Sequence, residues 1–265
     1  AVIASDRGLS CEIVVAAVTD EEWGSLGTLA VVESGVRADA AIVTEPTTLA
    51  LMPAHRGFVW ADVEVRGRAA HGSRYDVGID AVRYAGLLLA QLDRVDTDDL
   101  PLRRHALLGR ASLHASTIAG GTGMSTYPDR CVLQVERRTI PGEGADTFRR
   151  ELEQACARVR AIKPEFDADV RITLSQPPSD VALDAPVVRQ LQAAMMAERL
   201  PDRVEGMSAW TDAAILNEAG IPAVCFGPGD ISLAHAAEEW ISLAEIDTAT
   251  AVLARLAMGW EGRER

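Results

Sequence analysis

The chain lacks several motifs that would indicate common protein classes. No apolar run approaches the ~18 residues that a membrane span needs. No GxGxxG or GxxxxGK[ST] motif follows a predicted strand, which argues against a nucleotide-binding protein. There is also no CxxC pair, because Cys11, Cys131, Cys156 and Cys225 are widely scattered. We therefore expect four reduced, structural thiols and a cytoplasmic protein.

The chain also has fewer basic than acidic residues. The chain has 39 acidic and 26 basic residues, and a formal net charge of −13. Its longest basic clusters, Arg103-Arg104 and Arg137-Arg138, are too short to follow a phosphate backbone, so a nucleic-acid partner is not expected. With 48% hydrophobic and 25% charged residues, the composition is that of a globular protein, and 265 residues are enough for two domains.

The two ends of the chain share an α/β pattern. Residues 12–18 (EIVVAAV) form a β-branched run that predicts a buried strand, residues 23–34 predict a helix closed by Gly35, and residues 40–43 predict a strand. This βαβ order implies a parallel sheet covered by helices. The pattern returns after residue 177, with helices predicted at 186–199, 212–218 and 242–260 and a strand at 223–226.

The middle of the chain has a different pattern. The predicted order there is strand 58–65, helix 80–92, strands 111–118 and 131–139, helix 148–162 and strand 168–174. This β-α-β-β-α-β order is ferredoxin-like. We therefore predict an α/β domain, residues 1–52 and 177–265, with a mixed, mostly parallel sheet and helices on both faces. A ferredoxin-like α+β domain, residues 53–176, interrupts it.

Carboxylates follow two of the predicted strands. Asp20-Glu21-Glu22 comes directly after residues 12–18, and Glu45 precedes Pro46 after residues 40–43. Ligand sites in parallel sheets lie at the carboxyl ends of strands. One of two adjacent glutamates can bind a metal while the other takes a proton from water. The alternative for Glu21 and Glu22 is an acidic helix N-terminus.

Two histidines have a suggestive context. His235 comes soon after a Gly-Pro-Gly loop, and a neutral imidazole is a common zinc ligand. His71 follows the first strand of the inserted domain among small residues that would allow close approach. Either histidine could instead be an ordinary loop or turn residue. The remaining histidines have no carboxylate or glycine context and are expected to be structural: His55, His105 and His114.

The ordered set of motifs is more specific than any one of them. DEExG, TEP, RGxAAHGS, GGTGMSTYPDRC, RTIPGE, GPGD and AHAAEEW follow one another along essentially the whole chain. This set resembles the M20 family of dinuclear zinc aminoacylases, acetylornithine and succinyl-diaminopimelate deacylases, and carboxypeptidases. The resemblance implies a zinc-exopeptidase-like catalytic domain. It also implies a hydrolase that cleaves the amide bond of an N-acyl amino acid or small peptide-like substrate.

The resemblance implies a role for each matching residue near the metals. Glu21 is similar to the general base that activates water. Glu22 is similar to a ligand of one metal, Glu45 to a ligand of the other, and His235 to the last ligand. His71 resembles the histidine that steadies the oxyanion, in this family typically in the active site of the partner subunit.

The resemblance also covers substrate binding and assembly. Arg138 is similar to the arginine that binds the substrate carboxylate, and Gly227 and Gly229 to the loop beside the site. Ser125 stands where the family often has Asn, and its hydroxyl offers fewer groups to the substrate. Two Zn²⁺ per subunit are implied, although Co²⁺ or Mn²⁺ would suit the same ligands. A homodimer through residues 53–176 is expected, pairing a helix and an edge strand.

The chain departs from the family pattern before Glu21. The family carries an upstream HxD segment with one ligand and a bridging carboxylate, whereas the first histidine here is His55. We therefore expect about the first third of the protein to be absent, and this chain alone to be inactive. Two alternatives stay open. One is an inactive interaction protein that keeps the fold and the dimer surface. The other is a one-metal hydrolase that uses Glu45, His235 and water.

Overall fold

A computed structural model describes residues 9 and 11–261, and the chain divides into two compact units. The first unit is Ala1–His55 with Ser179–Arg265, and the second is Arg56–Pro178. The helices are α1 (Leu26–Glu33), α2 (Ala81–Arg94), α3 (Ala145–Ile162), α4 (Pro186–Ala197), α5 (Ala213–Glu218) and α6 (Leu243–Gly259). In the described part of the chain, no helix is both long and apolar enough to span a bilayer.

The described part of the chain also contains eleven strands. They are β1 (Ala41–Val43), β2 (Leu51–His55), β3 (Gly57–Arg66), β4 (Arg104–His105), β5 (Gly109–Arg110), β6 (Ser112–Gly120), β7 (Arg130–Thr139), β8 (Asp167–Gln176), β9 (Ser179–Asp180), β10 (Val204–Met207) and β11 (Ala223–Cys225). Every predicted helix is present within a few residues of its expected bounds. All four cysteines are free, and Cys131, Cys156 and Cys225 are buried.

The sheet of the first unit has the strand order β1-β11-β2-β10, with β9 paired to β2. The pairs β1–β11 and β2–β10 are parallel, whereas β2–β11 and β2–β9 are antiparallel. The sheet is therefore mixed, as predicted, but its pairings divide equally between the two directions. Strand β2 lies at the centre and runs through residue 53, where the sequence suggested a domain boundary.

Helices cover both faces of this sheet, as predicted. Leu51 and Val224 pack with α4 and α6 residues such as Leu191. Met52 and Cys225, the next residues along the same strands, pack with the start of α5 on the other face. Because side chains alternate along a strand, each short strand contributes to two cores. Burial on both faces fixes the register of these strands, and so the positions of the loops at their ends.

The strand predicted at residues 12–18 is wrong. The described structure has no strand there, and the segment is exposed, with Val15 at 88%. A β-branched sequence becomes a strand only where a neighbour completes the hydrogen-bond ladder, and no described strand pairs with this one. The opposite error concerns β2 and β10, which the sequence did not predict. Pro53 concealed β2, although its carbonyl accepts a hydrogen bond from the Val181 N–H at 2.9 Å.

The second unit contains the four predicted strands as an antiparallel sheet in the order β6-β7-β3-β8. Along β3 burial alternates, and residues such as Val63 face a core that includes Leu88 of α2 and Leu152 of α3. The opposite face, which we call the polar face, carries the other residues of β3: Phe58, Trp60, Asp62, Glu64 and Arg66. Apolar residues at helical spacing on α2 and α3 explain why both helices pack on a single face.

Buried charges in the second unit are paired. The Arg137 side chain is only 1% exposed and lies 3.0 Å from both Glu143 and Glu151. Arg103 adds a second cation, 2.9 Å from Glu143 and 2.5 Å from Glu151. Two arginines and two glutamates therefore balance one another, which is what charge in a low-dielectric interior requires.

Candidate functional site

Glu21 and Glu22 lie in a turn rather than at the end of a strand. Asp20 has a left-handed backbone with φ 66°. Its carbonyl accepts the N–H groups of Trp23 at 3.3 Å, Gly24 at 3.1 Å and Ser25 at 2.6 Å. Asp and Asn tolerate this conformation better than most residues. The sequence Asp-Glu-Glu-Trp-Gly therefore folds locally into a tight turn that carries both glutamates.

Helix α1 packs directly against the residue before this turn. A Cβ at Gly27 would lie 2.4 Å from the Thr19 N and 2.6 Å from the Thr19 O, so only glycine fits there. The Gly27 N–H also donates to the Thr19 carbonyl at 3.1 Å. Gly27 therefore holds the start of α1 to the chain that leads into Glu21.

Glu45 is held by contacts between two loops. The Thr47 hydroxyl donates to the Gly227 carbonyl at 3.1 Å and accepts from the Gly227 N–H at 3.1 Å. A Cβ at Gly227 would lie 2.5 Å from the Glu45 carbonyl oxygen. The loop after β11 thus packs against the backbone of Glu45, the residue that carries this carboxylate.

Gly229 joins the same loop to α6. It has φ 90°, a conformation that favours glycine, and its N–H donates to Glu245 Oε2 at 2.7 Å. Its carbonyl accepts the Thr48 N–H at 2.7 Å. Gly227 and Gly229 therefore have structural positions beside Glu45.

Glu21 and Glu45 lie near the negative charges of Glu22 and Asp212, and we call these four residues the carboxylate cluster. Burial, followed by the negative charges of Glu45, Asp212 and Glu22, raises the pKa of Glu21 to about 7. Burial, followed by Asp212 and Glu22, also raises the pKa of Glu45. Partial burial of several like charges marks this cluster as a place for a cation or a shared proton.

Asp212 belongs to this cluster but was not among the predicted site residues. It is 3% exposed, and its Oδ2 accepts a hydrogen bond from the Thr28 hydroxyl at 2.5 Å. Its Oδ1 is buried without a hydrogen-bond partner among the described residues. An aspartate at the start of a helix has an ordinary explanation in the sequence, so only the three-dimensional contact with α1 reveals it.

His235 lies next to Glu22. Its Nε2 is 3.4 Å from Glu22 Oε2, and both side chains are about three-quarters exposed, at 75% and 76%. Two ligands at ~2.05 Å from a tetrahedral zinc ion lie about 3.3 Å apart, so this pair fits one edge of such a site. Within the described residues, however, no group of three or more His, Cys, Asp and Glu side chains is arranged to hold a metal ion.

The second unit brings His71 and Ser125 together. The Gly72 N–H donates to the Ser125 carbonyl at 2.7 Å, and His71 forms an isolated β-bridge with Thr126. His71 Nδ1 lies 2.8 Å from the Ser73 hydroxyl, and the imidazole is exposed. The two predicted residues therefore occupy one pair of loops beyond the end of β3.

Arg138 lies at the other end of the same strands. It pairs with Phe58 in the β3–β7 ladder, whereas Arg130 pairs with Arg66 near the loops of His71 and Ser125. The eight residue steps of β7 from Arg130 to Arg138 correspond to about 26 Å. One copy of this unit therefore cannot bring Arg138 and His71 to the same small molecule.

A mixed sheet with helices on both faces, interrupted in sequence by a four-stranded antiparallel unit, defines a two-unit α/β protein. The profile of peptidase family M20/M25/M40 matches residues 1–259, and the chain belongs to this family of hydrolases. The resemblance predicted from the motifs is thereby confirmed.

Individual relatives agree with this assignment. An acetylornithine deacetylase from Myxococcus xanthus is 33% identical over 250 residues, covering 93% of this chain and 64% of the relative. An acetylornithine deacetylase from Edwardsiella ictaluri is 25% identical over 241 residues, covering 88% and 60%. The structure of aminopeptidase PepT from Bacillus cereus shares the fold, with a TM-score of 0.76 at 18% identity, covering 91% of this chain and 62% of that one. The chain thus spans under two-thirds of the length of these relatives.

Proposed function

We propose that this protein is a metal-dependent hydrolase that cleaves the amide bond of an N-acyl amino acid or a small peptide-like substrate. The observation that carries the proposal is the carboxylate cluster of the first unit, in which Glu21 and Glu45 have raised pKa values and no arginine or lysine partner among the described residues. The relatives named as deacetylases support the same reaction class.

We propose Glu22, Glu45 and His235 as the metal ligands that this chain supplies. The 3.4 Å separation between His235 and Glu22 suits two ligands of one ion, and carboxylate and imidazole are donors that zinc accepts. Two Zn²⁺ per subunit of the intact protein are proposed, and the same donors suit Co²⁺ or Mn²⁺. When bound, such an ion lowers the pKa of water toward ~7 and polarises a carbonyl.

Glu21 is proposed as the general base. Its carboxylate would accept a proton from the attacking water and deliver it to the nitrogen of the leaving amine, so that the C–N bond breaks with a neutral amine as product. A base works best when its pKa lies near the working pH, and the pKa of Glu21 is raised to about 7. Burial is the largest cause of this shift, and the negative charges of the neighbouring carboxylates add to it.

The remaining residues are proposed to act on the substrate. His71, with Ser125 beside it, would donate to the oxyanion of the tetrahedral intermediate. Arg138 would bind the carboxylate of the amino acid, because its planar fork suits that group. Gly227 and Gly229 would keep the loop beside Glu45 in place. The cytoplasmic location remains a prediction that rests on the four free cysteines.

We infer that the second unit, proposed as the inserted dimerisation domain, forms a homodimer. The separation of about 26 Å between the Arg138 end and the His71 end of β7 supports this inference, because two copies are needed to bring both ends to one substrate. The partner's histidine would then complete a site that one chain leaves incomplete.

Strand β6 is the proposed pairing edge. It has no charged residue and is exposed from His114 onward, whereas the opposite edge, β8, carries Asp167, Asp169 and Arg171. Charged residues protect an edge against pairing, and β6 lacks that protection. Ile118→Lys on β6 should convert a dimer to a monomer in light-scattering measurements. Thr173→Lys on β8 is the matched control and should leave the dimer intact.

The function is tested on the full-length protein by measuring metal content together with hydrolysis of N-acetyl amino acids. About two zinc ions per chain and turnover that a chelator abolishes would support the proposal. A metal-free, inactive protein that still dimerises would favour an interaction protein of the same fold. One ion per chain with turnover would favour a one-metal hydrolase that uses Glu45, His235 and water.

A further inference from the structure

We propose that Glu136 is a positioning residue that fixes the guanidinium of Arg138 for end-on capture of a substrate carboxylate. The inference deepens the proposed function and rests on its assignment of Arg138. It concerns the polar face of the second unit, where Glu136 and Arg138 lie two residues apart on β7 and therefore on the same side of the sheet. Four side chains form the arrangement, which we call the arginine clamp: Phe58, Trp60, Glu136 and Arg138.

Both carboxylate oxygens of Glu136 are engaged. Oε1 accepts a short hydrogen bond from Arg138 Nε, and Oε2 accepts one from the Trp60 indole N–H at 2.8 Å. The Glu136 side chain is only 12% exposed. Because both of its oxygens accept hydrogen bonds, the Glu136 carboxylate is held in place and does not leave Arg138 when a substrate carboxylate binds. It holds the nitrogen that it contacts in one place.

The Phe58 ring lies against the same guanidinium. The Arg138 Cζ lies 5.2 Å from the centre of the Phe58 ring, within the range of a cation–π contact. The Phe58 and Trp60 rings are themselves 5.3 Å apart, so the indole that anchors Glu136 also supports the ring beneath Arg138. Arg138 is therefore restrained along one edge and on one face.

The restraint leaves a defined edge of Arg138 for a ligand. With Nε engaged by Glu136, the end-on edge formed by Nη1 and Nη2 can donate two parallel hydrogen bonds to a carboxylate. The Arg138 side chain is 34% exposed, so this group is accessible. Pre-organisation lowers the entropy cost of binding, because the long side chain is already ordered.

The surroundings of the clamp favour an anion. Burial, followed by the positive charges of Arg138 and Arg110, lowers the pKa of Arg56. Arg56 therefore lies near the positive charges of two other guanidinium groups at this end of the unit, although the chain as a whole carries a net charge of −13. A bound carboxylate would oppose the positive charge that acts on Arg56.

The same two strands supply a matched control. At the other end of the β3–β7 ladder, Arg130 lies 2.7 Å from Glu64, but Glu64 is 34% exposed and Arg130 63% exposed. This pair has the same chemistry without the indole anchor or the aromatic support. A general effect of removing an ion pair from the polar face would appear equally in both places.

The test uses the full-length, metal-loaded protein and calorimetric binding of an N-acetyl amino acid and of its primary amide. In Glu136→Gln the side-chain amide cannot accept from both Trp60 and Arg138. We expect roughly 10-fold weaker binding of the carboxylate, from the loss of one charge-assisted hydrogen bond, and unchanged binding of the amide. Glu64→Gln should bind both ligands as the wild type does. Where turnover is measured, KM should rise with kcat unchanged.

A double variant separates positioning from a general charge effect. In an Arg138→Lys background, the end-on edge is already lost, so adding Glu136→Gln should weaken binding no further. Full additivity of the two changes would overturn the inference. Equal losses for carboxylate and amide, or carboxylate binding unaffected by Arg138→Lys, would overturn it as well. Arg138-dependent binding without hydrolysis would sink the proposed function and leave the role of Glu136 standing.

Discussion

The two units of the chain treat buried charge differently. In the second unit, Arg137 and Arg103 face Glu143 and Glu151, and every charge has an opposite within about 3 Å. In the first unit, Glu21 and Glu45 share a partly buried space with Asp212, and the described residues supply no arginine or lysine to balance them.

The difference separates a structural use of charge from a functional one. In a balanced network the attraction between opposite charges offsets the cost of burying them, whereas a cluster of like charges raises the free energy of the folded protein until a proton or cation arrives. The proteins that keep such a cluster gain a group with a pKa near neutrality and a strong site for a positive ion. The contrast agrees with the proposed place of the metal ligands and the general base in the first unit.

The largest expected effect concerns Glu21. Glu21→Gln should lower kcat by about 10²- to 10⁴-fold, because the variant cannot accept the proton from water. Zinc content should stay at the wild-type level, since Glu21 is proposed as a base and not a ligand. Steady-state kinetics and elemental analysis of the full-length protein check both points. Glu33→Gln, an exposed change at the end of α1, serves as the control, and loss of zinc in Glu21→Gln would contradict the assignment.

The next prediction concerns the balanced network. Arg137→Met should lower the free energy of unfolding by about 3–5 kcal/mol, because it leaves two buried glutamates short of a cation. Urea unfolding measures the change. Arg66→Met removes a partner from an ion pair whose arginine is 50% exposed and should have a much smaller effect, because solvent screens exposed ion pairs. Equal losses of stability in the two variants would contradict the claim that the buried charges depend on their partners more than the exposed ones do.

A smaller effect is expected from the loop beneath Glu45. Gly227→Ala would place a Cβ 2.5 Å from the Glu45 carbonyl oxygen, so the loop must move. We expect a loss of about 1–3 kcal/mol in stability, as for other overpacked sites, together with weaker zinc binding. Gly86→Ala in α2 has no atom within 4 Å of the new Cβ and should be neutral or stabilising. Unchanged zinc affinity in Gly227→Ala would refute the supporting role.

A further prediction concerns the pH dependence of the metal-free protein. Because the folded pKa of Glu21 is raised to about 7, the native state keeps a proton that the unfolded state has released. Stability from this group is full below the ordinary pKa of 4.5 and is lost as pH rises through about 7. Across this pH window, the free energy of unfolding should decline more steeply with rising pH for the wild type than for Glu21→Gln. Parallel curves for the two proteins would contradict the shift.

Local patterns predicted much of this molecule. The strands and helices of the second unit follow from alternation along β3 and β7 and from helical spacing on α2 and α3, because each has a neighbour close in sequence or a clear apolar face. Residues 12–18 show the limit of that reasoning, since their β-branched composition says nothing about whether a pairing strand is present.

The candidate site was predicted in part for a similar reason. Motif order indicated Glu21, Glu45 and His235 as candidates, because those residues lie in short segments with distinctive neighbours. The sequence did not indicate Asp212, because its contact with Thr28 joins residues 184 positions apart. Glu136 was likewise hidden, because its meaning depends on Trp60 across the sheet. Long-range contacts of this kind leave no periodic trace in a sequence.

The central claim is that the carboxylate cluster lacks a balancing positive charge until a metal binds. Its most direct test is the stability of the full-length protein at pH 8, with and without Zn²⁺, for the wild type and Glu45→Gln. Without metal, removing one of several like charges should make Glu45→Gln more stable than the wild type. With zinc at about 100 times its Kd, the wild type should gain about 2.7 kcal/mol and the variant clearly less. A variant that is less stable without metal and gains as much from zinc would contradict the account.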